Sequence, residues 1–371
     1  MERRLPRSLF VAAAFIALLS LSSSRNVSAY AYTFTEIVPT AGGDVFPRCI
    51  NNNGVVVGNY RTSTNKIHAF KWSAGVFTDL GTMGSGDMSD AYCVNDAGVV
   101  GGAATASTTD LTYHPFIIPV GGSMTDLTPS APNTGSVSGL FALNDAGVGT
   151  GTMFYLGSGG YKYRVPFIYQ SGTLTNIAIN GYNTSEWPAG INNWNQIAGS
   201  DNGWGSYIYS NGVRTNIPHI FTGSTDPGGM STPAGINDTG QIVGMSMVNG
   251  ANPQHAFLWN PTPKHNSVTG KVYDLGTLGG SASGVDAINS TGAIVGWSQI
   301  TVGSGAGHGF ICYAADVLRG APNLTDLATI MDPTLVKVFD QPNSINDTGQ
   351  IVGQYYDHTT SSYHGCLLTP Q

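Results

Sequence analysis

Short apolar runs separated by polar turns recur along the whole chain, and residues 233–246, PAGINDTGQIVGMS, show the pattern clearly. Apolar side chains alternate with small or polar ones up to Ile236 and again from Ile242 onward. Asn, Asp, Thr and Gly lie between the two runs. Asn and Asp tolerate left-handed backbone angles, and Gly adopts positive φ without a steric penalty. The pattern therefore predicts two antiparallel strands joined by a tight hairpin turn.

This hairpin unit occurs seven times. INDTGQIVG is present twice without change, at 236–244 and 345–353, and five variants of it occur elsewhere in the chain. The first turn residue is always asparagine, and consecutive copies are 44 to 57 residues apart: Asn51, Asn95, Asn144, Asn192, Asn237, Asn289 and Asn346. A period of about 40–50 residues is typical of four-stranded propeller blades.

Two further strands are predicted after each hairpin, and their count indicates how the chain closes. The third strand, for example HAFKW at 68–72, occurs seven times, whereas the polar fourth strand, for example FTDL at 77–80, follows it only six times. The missing copy is FTEI at 34–37, near the start of the chain. We therefore predict an all-β fold, a seven-bladed β-propeller of four-stranded blades, closed by an N-terminal strand that completes the last blade. Residues 30–371 would form this single domain.

The oxygen-rich turn could be a metal site or a structural turn. An EF-hand calcium loop needs oxygens at alternate positions and a distal bidentate Glu, which is missing here. The turn Asp is replaced by Asn52, Asn193 or Ser290 in other copies, and the Gly by Asn195. Turn chemistry survives these replacements, so we interpret the motif as structural. We predict no metal site and no cofactor.

The residue before the first Ile of each unit is always small: Cys49, Cys93, Ala142, Gly190, Gly235, Ala287 and Ser344. This predicts a close approach of neighbouring innermost strands. Cys49 and Cys93 occupy equivalent positions in adjacent blades, which would allow a disulfide if their Cα atoms lie within about 7 Å. Two small buried thiols are the alternative. Cys312 and Cys366 are predicted to be free.

Histidine recurs in the third strand of five blades: His68, His114, His255, His308 and His364. Spread one per blade, these side chains would lie far apart, unlike ligands that converge within about 2 Å of one ion. Each is therefore predicted to bond within its own blade. An acid recurs on the predicted outermost strand, where it would discourage edge-to-edge pairing: Glu36, Asp79, Asp126, Asp274 and Asp326.

Residues 1–29 have the features of a signal peptide: three early arginines, an apolar run at 8–21, and the small-residue sequence Val27-Ser28-Ala29. A retained anchor is the alternative, but the apolar run is shorter than the ~20 residues that span a bilayer. Without residues 1–29 the chain has 11 basic and 21 acidic residues, a formal charge of −10. This charge argues against nucleic acid or anionic lipid as partner. We expect a secreted monomer without membrane attachment, located outside the cell, on a bacterial surface or in the periplasm.

The sequences HAF, at 68–70 and 255–257, and DLGTLGG, at 274–280, carry a resemblance to a known family. DLGTMGS at 79–85 is a weaker copy of the second sequence. The pattern resembles the HAF-type extracellular repeat family over nearly the whole chain after residue 29. The resemblance implies a secreted, propeller-like bacterial protein and implies no particular activity.

Function is expected on the face with the long, variable loops, which are aromatic and uncharged. Trp and Tyr beside Asn, Ser and Gly suit stacking on sugar rings, although packing between blades is the alternative for each residue. The candidate ligand-binding residues are Tyr60, Tyr155, Trp187, Trp204, Trp297 and Tyr355. We expect a glycan or another extracellular partner, such as a protein, to bind there.

Catalytic motifs are absent from the sequence: it contains no G-x-S-x-G, H-E-x-x-H or C-x-x-C. The catalytic residues, if any, are therefore unknown from the sequence. A propeller hydrolase or lyase that uses loop carboxylates on a polysaccharide is one alternative to the binding protein. A purely structural surface protein is the other.

Overall fold

The computed structural model describes residues 31–41, 43–109, 112–128, 138–156, 162–178, 186–201, 205–220, 230–248, 253–263, 268–303, 307–331, 339–357 and 359–371. Within them the strands form seven four-stranded antiparallel sheets. This confirms the predicted seven-bladed β-propeller. Residues 1–29 lie outside the described part of the chain, so the signal peptide remains a prediction.

The first strand of the described chain is β1 (Tyr32–Ile37), and the first three complete blades follow it. Blade 1 contains β2 (Val45–Ile50), β3 (Val56–Arg61), β4 (Ile67–Ser73) and β5 (Val76–Gly81). Blade 2 contains β6 (Ser89–Val94), β7 (Val100–Thr105), β8 (Tyr113–Ile118) and β9 (Thr125–Asp126). Blade 3 contains β10 (Gly139–Leu143), β11 (Gly149–Leu156), β12 (Lys162–Gln170) and β13 (Thr173–Asn176).

The remaining blades follow the same order, with two short helices added in blade 6. Blade 4 contains β14 (Glu186–Ile191), β15 (Ile197–Asp201), β16 (Gly205–Ser210) and β17 (Val213–Asn216). Blade 5 contains β18 (Ser231–Ile236), β19 (Ile242–Met247), β20 (Gln254–Pro261) and β21 (Gly270–Gly276). Blade 6 contains β22 (Ser283–Ile288), β23 (Ala293–Gln299), β24 (Gly307–Tyr313), α1 (Ala314–Leu318), β25 (Thr325–Asp326) and α2 (Leu327–Ile330). Blade 7 contains β26 (Phe339–Ile345), β27 (Ile351–Asp357) and β28 (Ser362–Pro370).

Blade 7 is completed by the start of the chain, as predicted. The order of its strands is β1-β28-β27-β26, so β1 is the outermost strand of the sheet. The two strands pair antiparallel, with Phe34 opposite Leu368 and Ile37 opposite Gly365. The N-terminal strand therefore closes the ring.

The asparagine turns connect the first and second strands of each blade, and one copy shows why the sequence is conserved between repeats. Asn237 Oδ1 accepts hydrogen bonds from the backbone N–H groups of Thr239, at 3.1 Å, and Gln241, at 3.0 Å. Gly240 has φ of 80°, and Asn195, which replaces the glycine in blade 4, has φ of 58°. Glycine and asparagine are the residues that reach this region at low cost. The predicted hairpin turns are confirmed.

The same asparagine also connects neighbouring blades, which the sequence did not predict. Asn237 Nδ2 donates to the backbone carbonyl of Asn289 in the next blade, at 3.1 Å. The equivalent bond occurs at all seven turns, between 2.8 and 3.1 Å, and the last one runs from Asn346 back to Asn51. The seven asparagine side chains are buried. They form a closed circle of hydrogen bonds, which we call the asparagine ring.

Close packing of the first strands explains the small residue before each Ile. Each first strand contacts the first strand of the next blade around the ring. A Cβ atom on Gly190 would lie 3.3 Å from the backbone nitrogen of Ile236, tighter than ordinary van der Waals contact. A larger side chain would push the neighbouring strand away.

The disulfide considered for Cys49 and Cys93 is not formed, and all four cysteines are free. The Cys49 thiol lies 3.9 Å from the carbonyl oxygen of Val94, and the Cys93 thiol lies 3.7 Å from that of Leu140. Each thiol therefore faces the carbonyl of the following blade. The two point in the same direction around the ring and do not face each other.

The hydrophobic core lies between adjacent blades. Val57 of blade 1, for example, packs in one cluster with Ala91 and Phe116 of blade 2. The residue in the middle of the third strand is buried in these interfaces, and in several blades it is a phenylalanine, as at Phe70, Phe116, Phe167 and Phe310. Burial of these side chains contributes about 1.5–3 kcal/mol each. Among the described residues, neither helix has the length or apolar character needed to cross a membrane.

Candidate functional site

The five recurrent histidines each pair with the recurrent acid of the same blade, as predicted for bonding within the blade. The Nδ1 atom lies 2.6 to 3.0 Å from a carboxylate oxygen in all five pairs. The pairs are His68–Asp79, His114–Asp126, His255–Asp274, His308–Asp326 and His364–Glu36. Within the described parts of the chain, no three His, Cys, Asp or Glu side chains are placed to hold a metal ion.

The two blades without such a pair show that histidine and acid change together. In blades 3 and 4 the histidine position is occupied by Val165 and Gly205. The acid position on the fourth strand of these blades is occupied by Asn176 and Asn216. Burial alone would raise the pKa of Asp79, but hydrogen bonds from His68 and Gly81 outweigh it and lower the pKa. The pairs hold the third and fourth strands together, and we assign them a structural role.

One position in the first strand of each blade carries a different kind of residue from blade to blade. Every first strand has a β-bulge between an apolar residue and the small residue described above. The bulged residue itself differs from blade to blade in size and charge: Arg48, Tyr92, Phe141, Ala189, Ala234, Asp286 and Asn343. Bulges often re-aim a side chain next to a functional site.

Four of the bulged residues line a cavity of about 320 Å³. They are Tyr92, Phe141, Ala189 and Ala234, and the other lining residues belong to the same first strands. Because the first strands surround the axis, this cavity lies in the central channel, on the side of blades 2 to 5. The bulged position therefore supplies the lining of the channel.

Three aromatic side chains, Tyr92, Phe141 and Trp187, form what we call the aromatic wall of this cavity. Tyr92 meets Phe141 edge to face, with ring centroids 5.4 Å apart. Phe141 stacks on Trp187 at 4.9 Å, with an angle of 11° between the rings. Trp187 keeps 36% of its surface exposed. It was one of the candidate residues from the sequence, whereas Tyr92 and Phe141 were not.

Charged side chains surround Trp187. The guanidinium of Arg164 lies 4.2 Å from the centroid of the indole ring. The preceding residue, Glu186, is buried and lies 3.5 Å from Arg214, which also pairs with Asp201 at 2.6 Å. These ion pairs fix the start of β14, so the indole has a rigid support.

The opposite arc of the channel is polar. Arg48 pairs with Asp90 at 3.2 Å, and the side-chain nitrogen of Asn343 donates to the carbonyl of Pro47 at 2.6 Å. Burial raises the pKa of Asp286 to about 7. Among the described residues Asp286 has no hydrogen-bond or ion-pair partner. The channel thus has an aromatic side and a side on which the Asp286 carboxyl group has no partner among the described residues.

Two other candidate residues from the sequence, Tyr60 and Tyr355, do not line this cavity. Tyr60 is buried against Phe77, with centroids 5.0 Å apart. Tyr355 is fully buried, and its hydroxyl donates to Glu36 at 3.0 Å. Both pack between blades, which is the alternative considered for each aromatic residue.

Of the other three candidates, the structure describes the side chain of Trp297 alone. Trp297 is half-buried on β23, the second strand of blade 6, where it packs close to Gly284. Tyr155 is in β11, opposite Tyr163, but its side chain lies outside the described residues. Trp204 also lies outside the described residues. Trp297 is not among the described residues that line the aromatic cavity.

The other end of the channel is formed by the second residues of the asparagine turns. They surround a cavity of about 180 Å³: Asn52, Asp96, Asp145, Asn193, Asp238, Ser290 and Asp347. The Asn52 amide nitrogen bridges Asp96 and Asp347, at 2.9 and 3.0 Å. Asn193 bridges Asp145 and Asp238 in the same way, at 2.8 and 2.9 Å. This mouth is negatively charged and hydrogen-bonded within itself.

Fold and site define a seven-bladed β-propeller with an amphipathic central channel. No protein-family model and no curated protein matches the sequence. The chain is similar in structure to an oligogalacturonate lyase in complex with manganese, with 10% identity and a TM-score of 0.56 over 92% of this chain and 96% of that one.

Two further solved structures share the fold. The β-propeller domain of the trilobed protease from Pyrococcus furiosus has 10% identity and a TM-score of 0.50, over 79% of this chain and 83% of that one. A Mycobacterium tuberculosis puromycin-hydrolyzing peptidase has 11% identity and a TM-score of 0.51, over 89% of this chain. This chain spans only 56% of the peptidase. At such identities the likenesses show the propeller fold alone.

Proposed function

We propose that this propeller is a binding protein that recognises an extracellular glycan in its central channel, against the aromatic wall. The aromatic wall carries the proposal: the Trp187 indole stacks on Phe141, has the Arg164 guanidinium over its ring and keeps 36% of its surface exposed. Sugar rings present flat apolar faces, which pack on rigid aromatic side chains. A rigid platform also loses little conformational entropy when a ligand binds.

The aromatic wall lies toward the face of the propeller that is expected to carry the long loops. Trp187 is the second residue of β14, and first strands begin at the face that carries the connections between blades. The cavity of about 320 Å³ lies at the lower end of the range of about 300–1,000 Å³ for small-molecule sites. A single sugar unit, or the end of an oligosaccharide, is a suitable size for it.

Location outside the cell is part of the proposal and is supported by the sequence. The basic and apolar start of the chain supports export, and the low content of charged residues, 10%, suits a loop surface that bonds neutral hydroxyl groups. Detection of the mature N-terminus near residue 30 in culture supernatant or periplasm would test export independently of binding.

The binding experiment compares two exposed tryptophans. Trp187 lies on the aromatic wall, whereas Trp194 is 52% exposed in an asparagine turn, with its ring nitrogen 3.0 Å from the carbonyl of Asp238. Isothermal titration calorimetry with neutral, amine-bearing and uronic oligosaccharides would identify a ligand. Trp187→Ala should weaken its binding at least tenfold, about 1.4 kcal/mol, and Trp194→Ala should not. If the unaltered protein binds none of the sugars, the structural alternative is favoured.

Cleavage of a polysaccharide is the second candidate function. It is supported by the likeness to the oligogalacturonate lyase over 92% of this chain, and by Asp286, whose pKa of about 7 suits a general base. Incubation with the same oligosaccharides and analysis of products by mass spectrometry would test it. New products that disappear in Asp286→Asn would favour the enzyme over the binding protein.

A further inference from the structure

We infer that the channel selects a sugar that carries an amine, with Asp286 pairing with the ammonium group while the aromatic wall covers the apolar face of the ring. This inference rests on the proposed function and names the class of glycan. The seven bulged positions of the first strands present different side chains to one channel.

The order of the blades around the axis places Asp286 opposite the aromatic wall. Asp286 is the bulged residue of blade 6, and Tyr92 and Phe141 are the bulged residues of blades 2 and 3. Blade 6 is three blades away from blade 2 in one direction and from blade 3 in the other. A ligand that packs on the wall therefore presents its opposite side toward blade 6.

The charges of the channel favour a cation. Arg48, the basic residue of the polar arc, is already paired with Asp90. Arg164 lies over the indole ring of Trp187, and Arg214 is paired with the carboxylates of Glu186 and Asp201. Asp286 thus remains as a carboxyl group with no partner among the described residues.

The other end of the channel, at the asparagine turns, adds to the negative electrostatic potential. Four carboxylates, Asp96, Asp145, Asp238 and Asp347, surround the axis at the asparagine turns. Clefts lined by one sign of charge concentrate ligands of the opposite sign. The two ends of the channel therefore both attract cations.

An ammonium group fits the environment of Asp286. It offers three hydrogen-bond donors and a full positive charge to Asp286, which relieves the cost of keeping that carboxylate away from water. A uronic sugar would instead bring a carboxylate toward Asp286, and the two like charges would repel each other.

The test uses three oligosaccharides of equal length: glucosamine, N-acetylglucosamine and galacturonic acid oligomers. Acetylation removes the charge and leaves the ring faces, so the first two isolate the effect of the amine. Calorimetry with the full-length protein should show the glucosamine oligomer binding at least tenfold more tightly than its acetylated form. The galacturonic oligomer should bind most weakly. Equal binding of the first two, or tightest binding of the galacturonic oligomer, would overturn the inference.

Two variants assign the preference to Asp286. Asp286→Asn should reduce the ratio between amine and acetylated sugar at least tenfold, while the acetylated sugar keeps its affinity. Asp316→Asn is the matched control, because Asp316 lies on α1 outside the channel and pairs with Arg319. A preference that persists in Asp286→Asn would refute the role of this residue.

The failures of the two proposals are distinguishable. If the acetylated sugar binds and Trp187→Ala abolishes that binding, the glycan site stands even when the preference for the amine is absent. If none of the three sugars binds, the proposed function fails, and the inference fails with it.

Discussion

The side-chain nitrogen of Asn346 donates a hydrogen bond of 3.0 Å to the backbone carbonyl of Asn51, and this bond joins the last turn of the asparagine ring to the first. It connects residues 295 positions apart in the sequence. The six other bonds of the ring connect consecutive blades. The Asn346–Asn51 bond is therefore the place where the ring depends on both ends of the chain.

Replacing Asn346 by alanine should destabilise the protein by about 2–4 kcal/mol. The substitution removes the bond to Asn51 and the bond accepted from Gln350, and leaves buried polar groups without partners. Urea denaturation followed by tryptophan fluorescence would measure the change. Asn323→Ala, at an exposed position, should change stability by less than about 0.5 kcal/mol. Equal effects of the two would contradict a structural role of the ring.

The pair between Glu36 and His364 should couple the two ends of the chain. Glu36 on β1 accepts hydrogen bonds from His364, at 2.6 Å, and from Tyr355, at 3.0 Å. A double-mutant cycle with Glu36→Gln and His364→Ala should give a coupling energy of about 0.5–1.5 kcal/mol. The same cycle on His68 and Asp79, within blade 1, provides the comparison. Additive effects at Glu36 and His364 would show that this pair contributes nothing to closure.

Asp286→Asn should stabilise the protein near neutral pH. The pKa of Asp286 is raised by burial to about 7 from an ordinary value of 3.8, so the folded state holds its proton more tightly than the unfolded state. The wild type therefore loses stability relative to the variant as pH rises from about 4 to 7, and the difference stays constant above that window. We expect a plateau of about 4 kcal/mol. Urea denaturation of both proteins from pH 4 to 8 would measure it. A difference independent of pH would contradict the burial of this carboxyl group.

The thiols of Cys49 and Cys93 should be unreactive in the folded protein. Burial raises the pKa of both thiols, which lowers the thiolate fraction available for alkylation. Mass spectrometry after iodoacetamide treatment should show little modification in buffer and complete modification in denaturant. If the unreduced protein had a mass lower than that of the free-thiol chain by two hydrogen atoms, a disulfide would be present instead.

Blade number and closure followed from the sequence because they depend on local chemistry. The turn motif requires asparagine and glycine at fixed places, whatever packs around it, and the displaced copy FTEI at 34–37 indicated the closing strand. The histidine–acid pairing was also accessible, because blades 3 and 4 lack both partners at once. We placed the two series on different strands and did not connect them.

The channel site was only partly predictable, because it depends on which residue of each first strand is bulged. A bulge is a property of strand register, and register does not follow from composition. A signal was nevertheless present in the sequence. The residue between the apolar position and the small position of each first strand differs from blade to blade, from Arg48 in blade 1 to Asn343 in blade 7. The burial of Tyr60 and Tyr355 did not follow from the sequence for a related reason, since the face of a strand on which a tyrosine lies decides whether it is buried.

The pairing of β1 with β28 also determines when the molecule can become whole. On a growing chain, Phe34 is made more than three hundred residues before its partner Leu368. Until then blade 7 has no sheet, the first blade has no neighbour on one side, and the asparagine ring is open. A nascent chain of six blades is thus an incomplete arc with two unsatisfied apolar faces. The propeller is completed in a single late step, in which the oldest strand and the youngest strand meet.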